Sequence, residues 1–139
     1  MQLTEHFSLS EFVRSETAEK KHIDNTPSPE VVENLRALCR NVLEPARVAF
    51  GEPIYITSGY RCAALNKAVC GKPTSQHLRG EAADLQVRGV ENLRKLYNAI
   101  KSRSVFDQLL YETNQSGTKW IHVSYTSNNR RQAIDNYNV

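Results

Sequence analysis

The sequence predicts an α+β fold, a single domain of helices packed on one small, mostly antiparallel sheet. Three observations carry that expectation. The chain has 139 residues, the length of one ordinary domain. Its apolar residues recur at helical spacing in some stretches and alternate or cluster as strands do in others. Two of the strand-like stretches flank a short polar loop containing Ser116-Gly117, which predicts an antiparallel hairpin. No internal repeat, Ser/Gly linker or charge block interrupts residues 1–139, so they read as one unit.

The elements follow in order. Asp24 to Pro29 is rich in turn formers, and Ser28-Pro29-Glu30 is a helix start: a side-chain cap, a proline in the first turn, and an acid at the positive end of the dipole. Val32, Leu35, Cys39, Val42 and Ala46 then recur at spacings of three and four, predicting a helix over 29–49, kinked near Pro45 and ended by Gly51. Ile54 to Thr57 is a β-branched and aromatic run that stops at Ser58-Gly59, as a buried strand would. A short helix from Cys62 to Val69 precedes the loop forced by Gly71-Lys72-Pro73-Thr74. Ala82 to Val87 reads as a strand, Val90 to Ile100 as a helix, and 106–112 and 120–125 as the hairpin strands. The Asn-rich tail from Thr126 to Val139 carries no pattern.

Composition narrows the function. With 40% hydrophobic and 24% charged residues, six Gly and five Pro, the chain is neither disordered nor low-complexity. No apolar stretch approaches the roughly 20 residues of a spanning helix, so no membrane insertion is expected. The start, MQLTEHFSLSEF, has Glu5 and His6 where an export signal needs a basic patch and an apolar run. The chain is therefore expected to be made in the cytoplasm without a signal peptide. Net charge is +3, from 18 basic and 15 acidic residues scattered along the chain, with only a small basic spot at Arg130-Arg131. Nucleic acid is not an expected partner, because its binding rests on a concentrated basic face. Three cysteines, Cys39, Cys62 and Cys70, are an odd number without CxxC spacing and read as idle or buried thiols.

The chemistry centres on two of the four histidines. His77 lies in a loop shortly before Asp84, which sits on the expected strand 82–87, and Gly80, Ala82 and Ala83 between them leave room for backbone to approach closely. Strand alternation puts Trp120, His122 and Ser124 on one face and Ile121, Val123 and Tyr125 on the other. Two imidazoles and a carboxylate make a three-ligand zinc set with an open fourth position. On residue types and spacing alone, hydrogen-bonded or surface histidines are the stronger reading, and the zinc set is the alternative to it. His6 and His22 have no such surroundings and are expected to be non-ligands.

The stretch Ser75-x-His77-x-x-Gly80-x-Ala82-x-Asp84, followed further on by Trp120-x-His122, resembles the zinc D-Ala-D-Ala carboxypeptidase family. That family includes vancomycin-resistance D-Ala-D-Ala dipeptidases and phage endolysin peptidases. Ser58-Gly59-Tyr60-Arg61 and the opening His6-Phe7-Ser8-Leu9-Ser10-Glu11-Phe12 extend the likeness over nearly the whole chain. The resemblance implies one zinc held by His77, Asp84 and His122. It implies that Arg61 binds substrate and stabilises the charge on the scissile carbonyl, and that Ser75 touches substrate or orients its loop, with a turn-capping hydroxyl the equal alternative for Ser75. It implies a peptidoglycan stem peptide as substrate, cut by a monomeric D,D-carboxypeptidase or endopeptidase, with release to the cell wall as a phage or prophage endolysin one route open to it.

One departure stands out. Many relatives carry an acid two or three residues before the second histidine, where this chain has Lys119 and Trp120. Hairpin parity offers Glu112 instead: paired strands around the loop 113–119 put Glu112 opposite Trp120, on His122's face. Glu112 is thus the expected general base. Glu81 and Asp107 are its alternatives, although solvated surface acids are the simpler reading of both. Should no acid face the metal, the chain would be a catalytically silent zinc domain that binds wall peptide or a protein partner.

Overall fold

The computed structural model describes residues 1–139 and has the α+β architecture expected. The N-terminus forms a small hairpin of β1 (Gln2–Thr4) and β2 (Phe7–Ser8), then α1 (Leu9–Val13) and α2 (Glu16–Lys20). None of these is longer than five residues, too short to print a period on the sequence. Local caps hold them: the Ser8 N–H donates to Glu11 Oε2 at 2.7 Å, and the Ala18 N–H to Ser15 Oγ at 3.2 Å.

The helix expected over 29–49 is present in three pieces. Ser28 Oγ accepts the Val31 N–H at 3.2 Å and starts α3 (Pro29–Leu38). A π turn, Cys39–Leu43, follows, and then α4 (Glu44–Phe50), closed by Gly51 at φ +82°. The π turn answers the Pro45 problem. The Glu44 N–H reaches back five residues to the Cys39 carbonyl, and the wider turn makes room for a ring that would otherwise press on the carbonyl of Asn41. Leu35, Leu38, Cys39, Val42, Leu43 and Ala46 are all fully buried along this run.

The remaining elements are β3 (Tyr55–Ser58), α5 (Ala63–Ala68), a 3-10 turn at Gln76–Arg79, β4 (Ala82–Gln86), α6 (Val90–Arg103), β5 (Gln108–Thr113), β6 (Lys119–Ser124) and β7 (Gln132–Asn138). The five strands from β3 onward make one sheet in the order β3-β4-β6-β5-β7. Every pairing is antiparallel except β5 with β7. The tail from Thr126 is therefore not featureless, because it supplies the edge strand beside β5. Ala83, Leu85, Leu109, Ile121 and Val123 pack with the helices as one core, and burying each larger aliphatic side chain contributes about 1.5–3 kcal/mol. No helix is long and apolar enough to cross a membrane.

Candidate metal centre

Alternation decides what the other face of the sheet carries. Asp84 on β4 pairs directly with His122 on β6, and His122 in turn with Leu110 on β5. Paired residues share a face, so Asp84, His122 and Leu110 point away from the core together. The hairpin register also pairs Glu112 with Trp120, which puts that carboxyl on the same face as His122. All five residues line one cleft of about 860 Å³.

His77 reaches this face from the 3-10 turn. Ser75 Oγ accepts the His77 N–H at 3.2 Å and caps the turn, and Gly80 leaves it at φ +72°. A side chain at Gly80 would also collide with Val31, its Cβ falling 2.8 Å from Val31 Cγ1. The His77 ring is buried, with Nδ1 donating to the Gly59 carbonyl at 2.7 Å, which leaves Nε2 free to face Asp84. Asp84 Oδ1 lies 3.4 Å from His77 Nε2 and 3.0 Å from His122 Nδ1. One ligand atom from each of the three falls within 4.8 Å of the others, and no fourth His, Cys, Asp or Glu joins the group.

This donor set fits zinc. Two imidazoles and a carboxylate converge, a backbone carbonyl orients one imidazole from behind, and three protein donors leave a position for water or substrate. Burial pushes the Asp84 carboxyl up, yet the imidazoles of His77 and His122 outweigh it and hold the group well below the usual carboxylate range. It is an anion ready to ligate.

A family model described as Peptidase M15 matches residues 5–124. The chain belongs to the M15 peptidases. The match takes in His77, Asp84 and His122. M15 membership makes the chain zinc-dependent and its activity that of a peptidase acting on a peptide substrate. No curated protein matches it.

Other M15 cleft residues fall as follows. Arg61 lines the cleft, forms no ion pair, and has Nη2 at 3.4 Å from Ser75 Oγ, while its buried Nε has no partner. Burial pulls its pKa down, and the Asp84 and Glu112 carboxyls oppose that pull. Burial raises the Glu112 carboxyl, and Asp84 raises it further, against the opposing effect of His122, Trp120 and Arg61. Trp120 lines the cleft with its indole N–H buried and lacking a hydrogen bond of good geometry.

Neither alternative acid is the solvated surface group expected. Glu81 is largely covered and accepts from Arg79 Nε at 2.6 Å. Asp107 is 2% exposed and lies at the far end of β5 from Glu112. Its Oδ1 accepts the Arg130 N–H at 2.9 Å and Arg130 Nε at 2.8 Å, and its Oδ2 accepts Arg130 Nη2 at 2.7 Å and Gln76 Nε2 at 2.9 Å. Neither residue lines the cleft. His6 instead sits 2.7 Å from Glu44, whose other oxygen accepts the Thr4 hydroxyl and the His6 N–H, so the imidazole straps the first hairpin to α4. His22 closes the turn after α2 at φ +56°. Cys39 is buried with its thiol pushed up to about 12, mainly by burial, and all three cysteines are free.

Sequence reasoning missed three contributors. The Gly59 carbonyl that fixes His77 is backbone and has no side-chain signature. Ile134 and Tyr137 on β7 also line the cleft, and their only signal is two apolar residues three apart in a polar tail.

Proposed function

We propose that the protein is a zinc peptidase that cleaves peptidoglycan stem peptides, with His77, Asp84 and His122 holding one zinc, Glu112 as general base and Arg61 as the substrate-binding cation. The observation that carries this reading is the shared face: three convergent donors and one carboxyl outside the donor set line a single cleft. A silent binding domain would need no such carboxyl.

Bound by these donors, zinc supplies Lewis acidity, polarising a carbonyl and bringing water's pKa from about 16 towards about 7. Glu112 takes the proton of the attacking water and delivers it to the leaving amine nitrogen. Arg61 offers a half-buried guanidinium to the growing charge on the carbonyl oxygen, where partial exclusion of water strengthens the attraction. Ser75 keeps the His77 turn closed and stands beside the Arg61 fork, so it orients both. Stem peptides suit the cleft because they combine free carboxylates for Arg61 with short side chains. On this reading the enzyme acts at the cell wall after release from the cytoplasm, and as a monomer, since one chain supplies every group named from the sheet face, the His77 turn and the loop after β3 that carries Arg61.

The test is incubation of the zinc-loaded protein with defined muropeptides and identification of products by mass, alongside metal analysis. One zinc per chain and hydrolysis at a bond flanked by a D-amino acid are expected, and the masses distinguish carboxypeptidase from endopeptidase cleavage. A zinc-loaded protein that binds muropeptides and releases no product would replace this reading with the silent binding domain.

A further inference from the structure

The cleft has two unlike sets of lining residues. Its cationic lining residues come from the segments before β4 (Arg61, Lys72, Arg79) and from the stretch just before β7 (Arg130), whereas Leu110, Ile134 and Tyr137 come together on the paired strands β5 and β7. Ile134 and Tyr137 belong to β7, beyond residue 124 where the M15 match ends.

Their placement depends on an irregularity. Residues three apart on a regular strand face opposite ways. Leu110 pairs with Ile134, but Glu112 pairs with Tyr137, so two steps along β5 correspond to three along β7. The extra residue is a β-bulge, which turns Tyr137 onto the face of Ile134 and Glu112. The surroundings agree with this register. Ala133 packs against the core, Asp135 pairs with Arg94 of α6 at 2.5 Å, and Ile134 and Tyr137 are half-buried while Asp135 and Asn136 between them are exposed. Bulges that re-aim a side chain beside an active site are a recurring device.

The strand is also anchored. Asp107 binds Arg130 through its carboxylate and accepts the Gln132 N–H at its own carbonyl at 2.8 Å, while the same carboxylate holds Gln76, the neighbour of His77. One buried acid thus ties the start of β7 to the turn that presents His77.

We propose that β7 is a specificity wall, in which Ile134 and Tyr137, with Leu110, form a subsite for an uncharged aliphatic side chain on a residue flanking the cleaved bond. This rests on the peptidase reading of the cleft. Tyr137 acts through its ring, since the subsite is apolar, and its bulge is what brings the ring beside Glu112.

The test uses zinc-loaded protein carrying Glu112→Gln, so that bound peptide stays intact, and calorimetric Kd values. The probes are a stem-type peptide ending in D-Ala-D-Ala and analogues with D-Leu, D-Glu or D-Lys at either D-Ala position. At one position the aliphatic peptides should bind and the charged ones fail. Ile134→Ala and Tyr137→Ala should each weaken the aliphatic peptides roughly 10-fold and narrow the gap to the charged ones. Tyr137→Phe should bind like the parent, and so should the variant lacking Asn136, because without the bulge residue Ile134 and Tyr137 stand two apart on a regular strand and still share the face of Glu112. Melting temperatures and zinc content confirm that each variant is folded and loaded. Unchanged Kd values in both alanine variants would overturn the wall. Hydrolysis by the protein with Glu112 restored is scored separately: affinity through these residues without hydrolysis keeps the wall and removes the peptidase reading, and neither binding nor hydrolysis of any probe removes both.

Discussion

On one face of the central sheet lie Ala83, Leu85, Leu109, Ile121 and Val123, all fully buried, and on the other, one residue along in each strand, lie Asp84, Leu110, Glu112, Trp120 and His122. The first face is held by apolar burial, which needs no particular partner and tolerates no water. The second holds ionisable groups whose charge depends on their neighbours. Asp84 and Glu112 show this within one cleft: the imidazoles beside Asp84 hold its carboxyl down, whereas burial and the Asp84 charge push the Glu112 carboxyl up. Two carboxyls on one sheet face are thereby held at different proton affinities by their neighbours, Asp84 lowered and Glu112 raised.

The division between faces can be broken one residue at a time. The largest effect is expected of His122→Ala, which should lose bound zinc and essentially all hydrolysis, as metal analysis and a product assay would show. Unchanged zinc content would remove His122 from the donor set. Its neighbour Ile121, fully buried, should behave oppositely: Ile121→Ala should cost about 3 kcal/mol in urea unfolding while the folded fraction keeps its kcat. A fall in kcat without a fall in stability would mean that the two faces are not separate.

Glu112→Gln sharpens the comparison within the cleft face. It should retain zinc and melting temperature and lose roughly 100-fold or more in rate, the scale of a positioned base. Full activity would move proton transfer elsewhere in the cleft. The smallest effect concerns the anchor. The Arg130 guanidinium, with Gln76, holds Asp107 well below the usual carboxylate range, so its folded pKa lies below its unfolded one. That stability is present above the ordinary carboxylate pKa of about 4 and is lost as pH falls through the depressed folded value. Asp107→Asn should therefore cost about 2 kcal/mol near neutral pH and flatten the acid side of the stability profile. An unchanged acid limb would show that the pair adds nothing.

Much of this was legible beforehand because it is local. The Ser28 cap and the three- and four-residue spacing that follows it specify a helix whatever lies around it. Glu112 could be put on His122's face because a short loop leaves its two strands little choice but antiparallel pairing, and alternation then settles the face. Asp107 was not legible as a buried anchor, since an acid in a polar stretch looks solvated until its partner is known, and Arg130 comes from a segment that shows no period.

By itself, then, the sequence determined the class of fold, the helix boundaries set by caps and Gly51, and the two imidazoles and two carboxyls that the cleft contains. Tertiary structure alone decided that the Gly59 carbonyl would lock the His77 ring, that Asp107 would join Gln76 to Arg130, and that β7 would lie parallel to β5 with a bulge turning Tyr137 inward. The reason is range. Caps, periods and hairpins are fixed by residues a few positions apart, whereas a parallel pairing or a backbone carbonyl meeting a distant ring is chosen only when the assembled core fixes where each segment can go.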